Sequence, residues 1–227
     1  IITAISSANC RSQNSHNEIS DNSSVSDPMS HISYLKYMHI AIVGNIGAGK
    51  TTLTGLLAKN YGWEALYEAV DNNPYLEDFY SDMKRWSFNL QIYFLNSRFQ
   101  QITDIEVNKR NVIQDRTIYE DAHIFAENLH DMALMTTRDH DNYRAIFDNI
   151  TSFIKPPDLL VYLRASVPTL VNNIQRRGRE YEAGIRIDYL SKLNEKYEAW
   201  IKGYNLGKLL ILDKDKLDFT NNPEDLG

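Results

Sequence analysis

An α/β fold, a parallel five-stranded sheet flanked by helices, is what this sequence predicts, and three observations predict it. Five brief runs rich in Val, Ile and Leu alternate with longer segments of helical period, the order expected when helices pack on a mostly parallel sheet. A glycine-rich turn, Gly44 to Thr51, joins the first of these runs to a helical segment. The chain has 227 residues, enough for one sizeable core and too few to make two domains the default.

Residues 1–37 carry ten serines among scattered Asn and Asp, with no sustained apolar period and no initiating Met. They are expected to be a disordered leader or a non-native segment, leaving 38–227 as the domain. Glu18, Asp21 and Asp27 against only Arg11 and Lys36 argue against a mitochondrial transit peptide, which is basic and poor in acids. Strands are expected at 39–43, 63–67, 111–114, 158–163 and 209–212, whose apolar character suits burial on both faces. Helical spacing marks 50–59, 86–107, 119–134, 139–153, 167–177 and 186–201; in the last, Leu190, Leu193, Tyr197 and Ile201 share one side. Ser166 ahead of Pro168 reads as a helix start, with the hydroxyl accepting from first-turn amides. The sequence ends on Asn221-Asn222-Pro223-Glu224-Asp225-Leu226-Gly227, where a further helix could begin, as a truncated C-terminus would.

Composition narrows the function classes. A formal net charge of −6 and a pI near 5.5 oppose a nucleic-acid-coating surface, which needs clustered Lys and Arg. Cys10 is the single cysteine, so an intramolecular disulfide and a cysteine-based zinc cluster are excluded and a reducing compartment, the cytoplasm, is expected. No run of about 18 apolar residues is present, so no membrane partner is expected. His123 and His130 are seven apart, without the closer spacing of a zinc pair.

Gly44-Asn45-Ile46-Gly47-Ala48-Gly49-Lys50-Thr51 fits G-x-x-x-x-G-K-[ST], with a predicted strand before it and a helix after it. Glycines let the backbone bend tightly and bring amide N–H groups against phosphate oxygens. Lys50 would reach the β- and γ-phosphates of ATP, Thr51 would hold Mg²⁺, and Thr52 follows at the positive end of the helix. The pattern implies a P-loop NTPase fold, and by itself leaves kinase, GTPase and motor open.

Three acids fall beyond the carboxyl ends of predicted strands, where open parallel sheets place ligands: Glu68, Asp115 and Asp213. With Asn73-Pro74-Tyr75-Leu76-Glu77, Trp86-Ser87-Phe88, Gln91, Asp115-Arg116-Thr117, Tyr162-Leu163-Arg164 and Arg177-Gly178-Arg179 with Glu182, the chain from about Met38 resembles the deoxyribonucleoside kinases. The resemblance is greatest to the bacterial deoxyadenosine and deoxyguanosine kinases. It implies ATP-dependent phosphorylation of a deoxynucleoside 5′-hydroxyl, a purine and by preference deoxyadenosine, in nucleotide salvage, by a homodimer whose interface would use 86–107. Glu68 would be the general base and Arg116 would neutralise the transferring phosphoryl group. Asp115, where animal members of the family carry Glu, would act on Mg²⁺, with the shorter arm leaving direct contact open.

On the long helix Gln91 and Arg98 share a face, with Phe88 and Phe94 near them, as a base pocket would require. Gln91 offers a donor and an acceptor; by the resemblance Arg98 would pair with Asp121, Phe125 would cover the base, and Tyr80 with Glu182 would hold the sugar 3′-hydroxyl. Arg176, Arg177 and Arg179 form an arginine-rich lid over the phosphates, with Arg177 and Arg179 carrying the contact because Asn173 stands where some members have another arginine. Asp213 and Asp215 resemble the loop over the adenine of ATP. A nucleoside monophosphate kinase such as thymidylate kinase, or a P-loop regulatory ATPase, are the competing readings.

Overall fold

The computed structural model describes residues 1–6, 37–70, 73–182, 184–219 and 222–226. Five strands, β1 (His39–Val43), β2 (Glu64–Leu66), β3 (Val112–Asp115), β4 (Leu159–Arg164) and β5 (Lys208–Asp213), form one parallel sheet in the order β2-β3-β1-β4-β5. Every residue of β1 is buried, because it lies at the centre with a covered sheet on both sides. On one face Ile40 and Ile42 pack with Leu53 and Leu57 of helix α1 (Lys50–Tyr61). On the other, Ala41 and Val43 join Leu90 and Phe94 of α3 (Met83–Asn108) and Leu190, Leu193 and Tyr197 of α7 (Ile187–Lys202). A third cluster joins α3 to α4, the helical segment from Ile118 to Asp131, and to α5 (Thr137–Thr151) through Leu95, Ile118, Tyr143 and Phe147.

The chain leaves β1 with β2 and β3 on one side and β4 and β5 on the other. This reversal opens a crevice at the carboxyl ends of the strands, the place where such sheets bind ligands. Helix α6 (Val167–Arg177) borders the crevice on the β4 side, and a short 3-10 turn, Glu180–Glu182, follows it.

All five expected strands are present, and the four buried positions expected on 186–201 are buried. Other boundaries differ for local reasons. Helix α3 begins at Met83 because the Asp82 carboxylate accepts the Arg85 amide at 3.1 Å, a cap hidden from apolar periodicity. A separate short helix, α2 (Leu76–Ser81), precedes it, and α4 carries a π-helical turn at Asp121–Ala126. Ser166 does start α6, but its hydroxyl meets the Thr169 hydroxyl at 3.1 Å and caps no amide. Of the leader expected at 1–37, positions 7–36 lie outside the described residues; residues 2–6 are helical, and Ile5 is buried near α1.

Candidate active site

The crevice is a cleft of about 530 Å³ reached from the phosphate loop on one side and from α3 on the other. Its floor is the turn after β1. At two glycines there an added side chain would clash: a Cβ on Gly44 would meet the Leu163 carbonyl at 2.7 Å, and one on Gly47 would meet the Leu170 carbonyl at the same 2.7 Å. Gly47 also has φ +85°, a backbone conformation that side chains disfavour. Asn173 donates to the Gly47 carbonyl at 2.9 Å and so ties the loop to α6. Asn45 points its amide away from the cleft, donating to the Leu190 carbonyl at 3.0 Å and to Asn194 at 2.7 Å.

Lys50 is buried at the base of the cleft and donates to the Asn45 carbonyl at 3.0 Å. Burial, and then the Arg116 guanidinium, lower its pKa to about 8. At neutral pH it remains a cation with little solvation, suited to an anionic ligand. Thr51 donates to Asp115 at 2.5 Å, and the second Asp115 oxygen is buried with no hydrogen-bond partner.

Glu68, just beyond β2, is gripped from two sides. Arg116 Nε lies 2.7 Å from its Oε1 and Arg98 Nη2 lies 3.4 Å from the same atom. Burial favours the neutral acid, but Arg116, Arg98 and Lys50 win and hold its pKa at about 2. Arg116 has φ +71°, a strained backbone for an arginine, and its amide donates to the Ile42 carbonyl at 2.9 Å. Its guanidinium also lies 4.7 Å from the Phe125 ring centroid.

Beneath these groups sits Glu120, wholly buried. One of its oxygens accepts from the Gly44 amide at 3.2 Å, from Arg116 at 3.0 Å and from the Tyr197 hydroxyl. The Tyr197 hydroxyl also faces the Gly44 carbonyl at 2.9 Å. A single buried carboxylate thus joins the phosphate loop, Arg116 and α7.

Toward α3 the cleft is lined by Leu90, Gln91, Phe94, Asp121 and Phe125. Arg98 Nε stands 3.4 Å from Asp121, and both are buried. Burial raises the Asp121 pKa to about 7 against the pull of Arg98. Gln91 Oε1 is buried and without a hydrogen bond on a residue that lines the cleft, whereas Asp121 Oδ2 is the oxygen that faces Arg98.

The family model of deoxynucleoside kinases matches residues 40–226. The chain belongs to the deoxynucleoside kinase family. It is 41% identical over 192 residues to the deoxyadenosine/deoxycytidine kinase of Bacillus subtilis, spanning 82% of this chain and 88% of that one. It is 42% identical over 168 residues to the deoxyadenosine kinase of Dictyostelium discoideum, spanning 74% and 68%. Among solved structures, the M. mycoides deoxyadenosine kinase with bound dATP superposes with a TM-score of 0.74 at 33% identity, covering 84% of this chain and 97% of that one.

Most residues expected of a member of this family do converge here: Ile46, Gly47, Gly49, Lys50, Thr51, Thr52, Glu68, Tyr80, Gln91, Phe94, Asp115, Arg116, Asp121, Phe125, Arg177, Arg179 and Glu182 all line the cleft, with Arg98 behind Glu68. Gly44 and Ala48, within the loop, are buried. Two expectations need correction, those for Phe88 and for the Asp213–Asp215 loop. Phe88, three residues before Gln91, does not line the cleft; it is half-buried and packs against the cluster that holds Ile118 and Phe147. Asp213 pairs with Lys216 at 2.8 Å, and Asp215 accepts from the Ser166 amide at 3.2 Å, so of 213–215 only Lys214 lines the cleft. Glu182 meets Arg177 in a bidentate pair, with contacts of 2.6 and 3.0 Å, and Arg179 approaches it at 3.6 Å. Glu120 and Tyr197 went unnoticed in the sequence; the first stood in the Asp115-Arg116-Thr117-Ile118-Tyr119-Glu120-Asp121 run, and the second read as one apolar-face residue among four.

Proposed function

We propose that this chain transfers the γ-phosphoryl group of ATP to the 5′-hydroxyl of a purine deoxynucleoside, deoxyadenosine first, in nucleotide salvage. The observation that carries the reading is Glu68 held against Arg116 above Lys50, a carboxylate, a guanidinium and a phosphate loop in one cleft. The hydroxyl oxygen bonds to the γ-phosphorus, the bond from that phosphorus to the β,γ-bridging oxygen breaks, ADP leaves, and the hydroxyl proton passes to Glu68.

Each residue has a part. The amides around Gly47 and Gly49 and the Lys50 ammonium hold the donor phosphates. Thr51 and the partnerless Asp115 oxygen suit Mg²⁺, which takes oxygen ligands and keeps part of its water; when bound it neutralises charge on the phosphate oxygens. Glu68 at a pKa of about 2 is a weak base. As Arg116 turns its charge to the incoming phosphate, less of it falls on Glu68, whose basicity rises when the proton must move. Tyr80 and Glu182 hold the sugar 3′-hydroxyl, and Arg177 and Arg179 act as the lid, exchanging Glu182 for phosphate on closure.

The partnerless Oε1 of Gln91 favours a base presenting an N–H donor there, such as an exocyclic amine, over a carbonyl. A neutral acceptor is favoured over a monophosphate because the two guanidiniums at Glu68 already face three carboxylates, Glu68, Glu120 and Asp121. The reading includes a domain at 38–227 acting in the cytoplasm as a homodimer, checked by sedimentation. Initial rates with the four deoxynucleosides and with deoxyadenosine monophosphate, on the parent and on Glu68→Gln, test it. Deoxyadenosine should lead, and Glu68→Gln should lose about 10²–10⁴-fold in kcat with little change in KM. ATP hydrolysis indifferent to added nucleoside would sink the proposal.

A further inference from the structure

Behind Glu68 runs a line of side-chain amides that the chemistry above does not use. The β2–β3 ladder ends at Leu66, opposite Gln114, so the Tyr67 carbonyl is the first on this edge strand to lie past it. Gln101 of α3 supplies the missing donor: its Nε2 lies 2.8 Å from that carbonyl. Gln101 Oε1 in turn accepts from Gln114 Nε2 at 2.8 Å, and Gln114 Oε1 lies 2.9 Å from His39 Nε2.

The line has one direction. A primary amide offers a donor at one end and an acceptor at the other. With the nitrogen of Gln114 spent on Gln101, its oxygen must accept, so His39 carries its hydrogen on Nε2. Burial holds the imidazole pKa below its usual value and keeps the ring neutral. Turning either amide over would set oxygen against oxygen. Gln114 is fully buried and fixed in β3 directly before Asp115, so the line starts in the most rigid part of the sheet and ends one residue from Glu68.

Gln101 also lies three residues after Arg98, on the same face of α3. Helix α3 therefore holds this segment twice, through the Glu68 side chain by Arg98 and through the preceding carbonyl by Gln101. We propose that Gln101, oriented by Gln114 and His39, is a positioning residue that sets the peptide carrying Glu68 and thereby aims its carboxylate at the acceptor hydroxyl. The proposal rests on the assignment of Glu68 as the base.

The test compares kcat and KM for deoxyadenosine in the full chain bearing Glu68→Gln, Gln101→Met, Gln101→Lys, Gln114→Glu, or Glu68→Gln with Gln101→Met. Gln101→Met keeps length and loses the donor; kcat should fall about 10- to 100-fold with KM within about twofold, as for a base misplaced by an ångström. Gln101→Lys restores an N–H for the carbonyl but offers Gln114 no acceptor, so it should recover part, and only part, of the rate that Gln101→Met loses. Gln114→Glu draws the Gln101 nitrogen toward the new carboxylate and should cost as much as Gln101→Met. In the double variant Gln101→Met should add nothing to Glu68→Gln, whereas a merely structural role would lower the rate again. A Gln101→Met enzyme turning over within about twofold of the parent, while Glu68→Gln is crippled, overturns the positioning role alone. Full turnover in Glu68→Gln removes the base assignment and the positioning role together. The two substitutions at partly buried Gln101 decide the matter if the buried Gln114→Glu does not fold.

Discussion

Removing one oxygen, in Tyr197→Phe, tests whether Glu120 organises the site from below. The hydroxyl lies wholly inside the protein, beside the Glu120 carboxylate, 2.9 Å from the Gly44 carbonyl and 3.3 Å from Arg116 Nη1. The other Glu120 oxygen already lacks a partner, so the carboxylate has no reserve of hydrogen bonds. Losing a buried bond to a charged acceptor costs about 1.5–3 kcal/mol. For a domain of this size each kcal/mol lowers Tm by about 2–4 °C, so a fall of roughly 3–12 °C is expected in a calorimetric scan. The same change frees Gly44 and Arg116 together, and kcat/KM for ATP should drop about tenfold, equal to ~1.4 kcal/mol of transition-state stabilisation. A Tm within about 1 °C of the parent, with kcat/KM unchanged, would refute the view that this buried cluster couples the loop to the chemistry.

In Gly47→Ala the new methyl meets the Leu170 carbonyl at 2.7 Å and Ile174 at 2.9 Å, so ATP affinity measured by titration calorimetry should fall at least about tenfold while the fold survives. Asp115→Asn removes a charge beside Thr51 and should raise the Mg²⁺ concentration for half-maximal rate by about tenfold or more; an unchanged Mg²⁺ curve would discard Asp115 as a metal-binding group. Burial lets Asp121 keep its proton to about pH 7 when folded, whereas a free aspartate loses it at about 3.9. The folded state then binds more protons between those values, so this group's contribution to stability is present at low pH and declines as pH rises toward 7, levelling above it. Urea midpoints of the parent should therefore fall relative to those of Asp121→Asn as pH rises over that interval, and parallel curves would count against the raised pKa.

Much of this was legible in the linear sequence. Hydrophobic runs located all five strands, although only β1, β3 and β4 are buried on both faces as expected while the edge strands β2 and β5 stay partly exposed, and the phosphate loop was explicit because its glycines are required by close backbone contact. The residues that line the cleft opposite the phosphate loop were recognisable from separated motifs. Less was legible where a side chain's direction depends on partners distant in the chain. Phe88 shares the approximate helical face of Gln91, yet the 26-residue helix contacts two clusters, and rotation about its axis sends Phe88 to the one containing Phe147. Asp213 and Asp215 stand at the end of a strand as expected, but an adjacent lysine and an open helix amide claim their charges.

Local spacing, then, determined which segments become strands and helices and where phosphate is held, because those outcomes depend on neighbours within a few residues. Tertiary structure alone decided the electrostatics. Arg98 and Arg116, on separate elements, meet Glu68 from two directions and hold its pKa at about 2, while burial beside Arg98 lifts that of Asp121 to about 7. A carboxylate's charge state depends on distances and solvent exclusion that no order of residues along a chain contains.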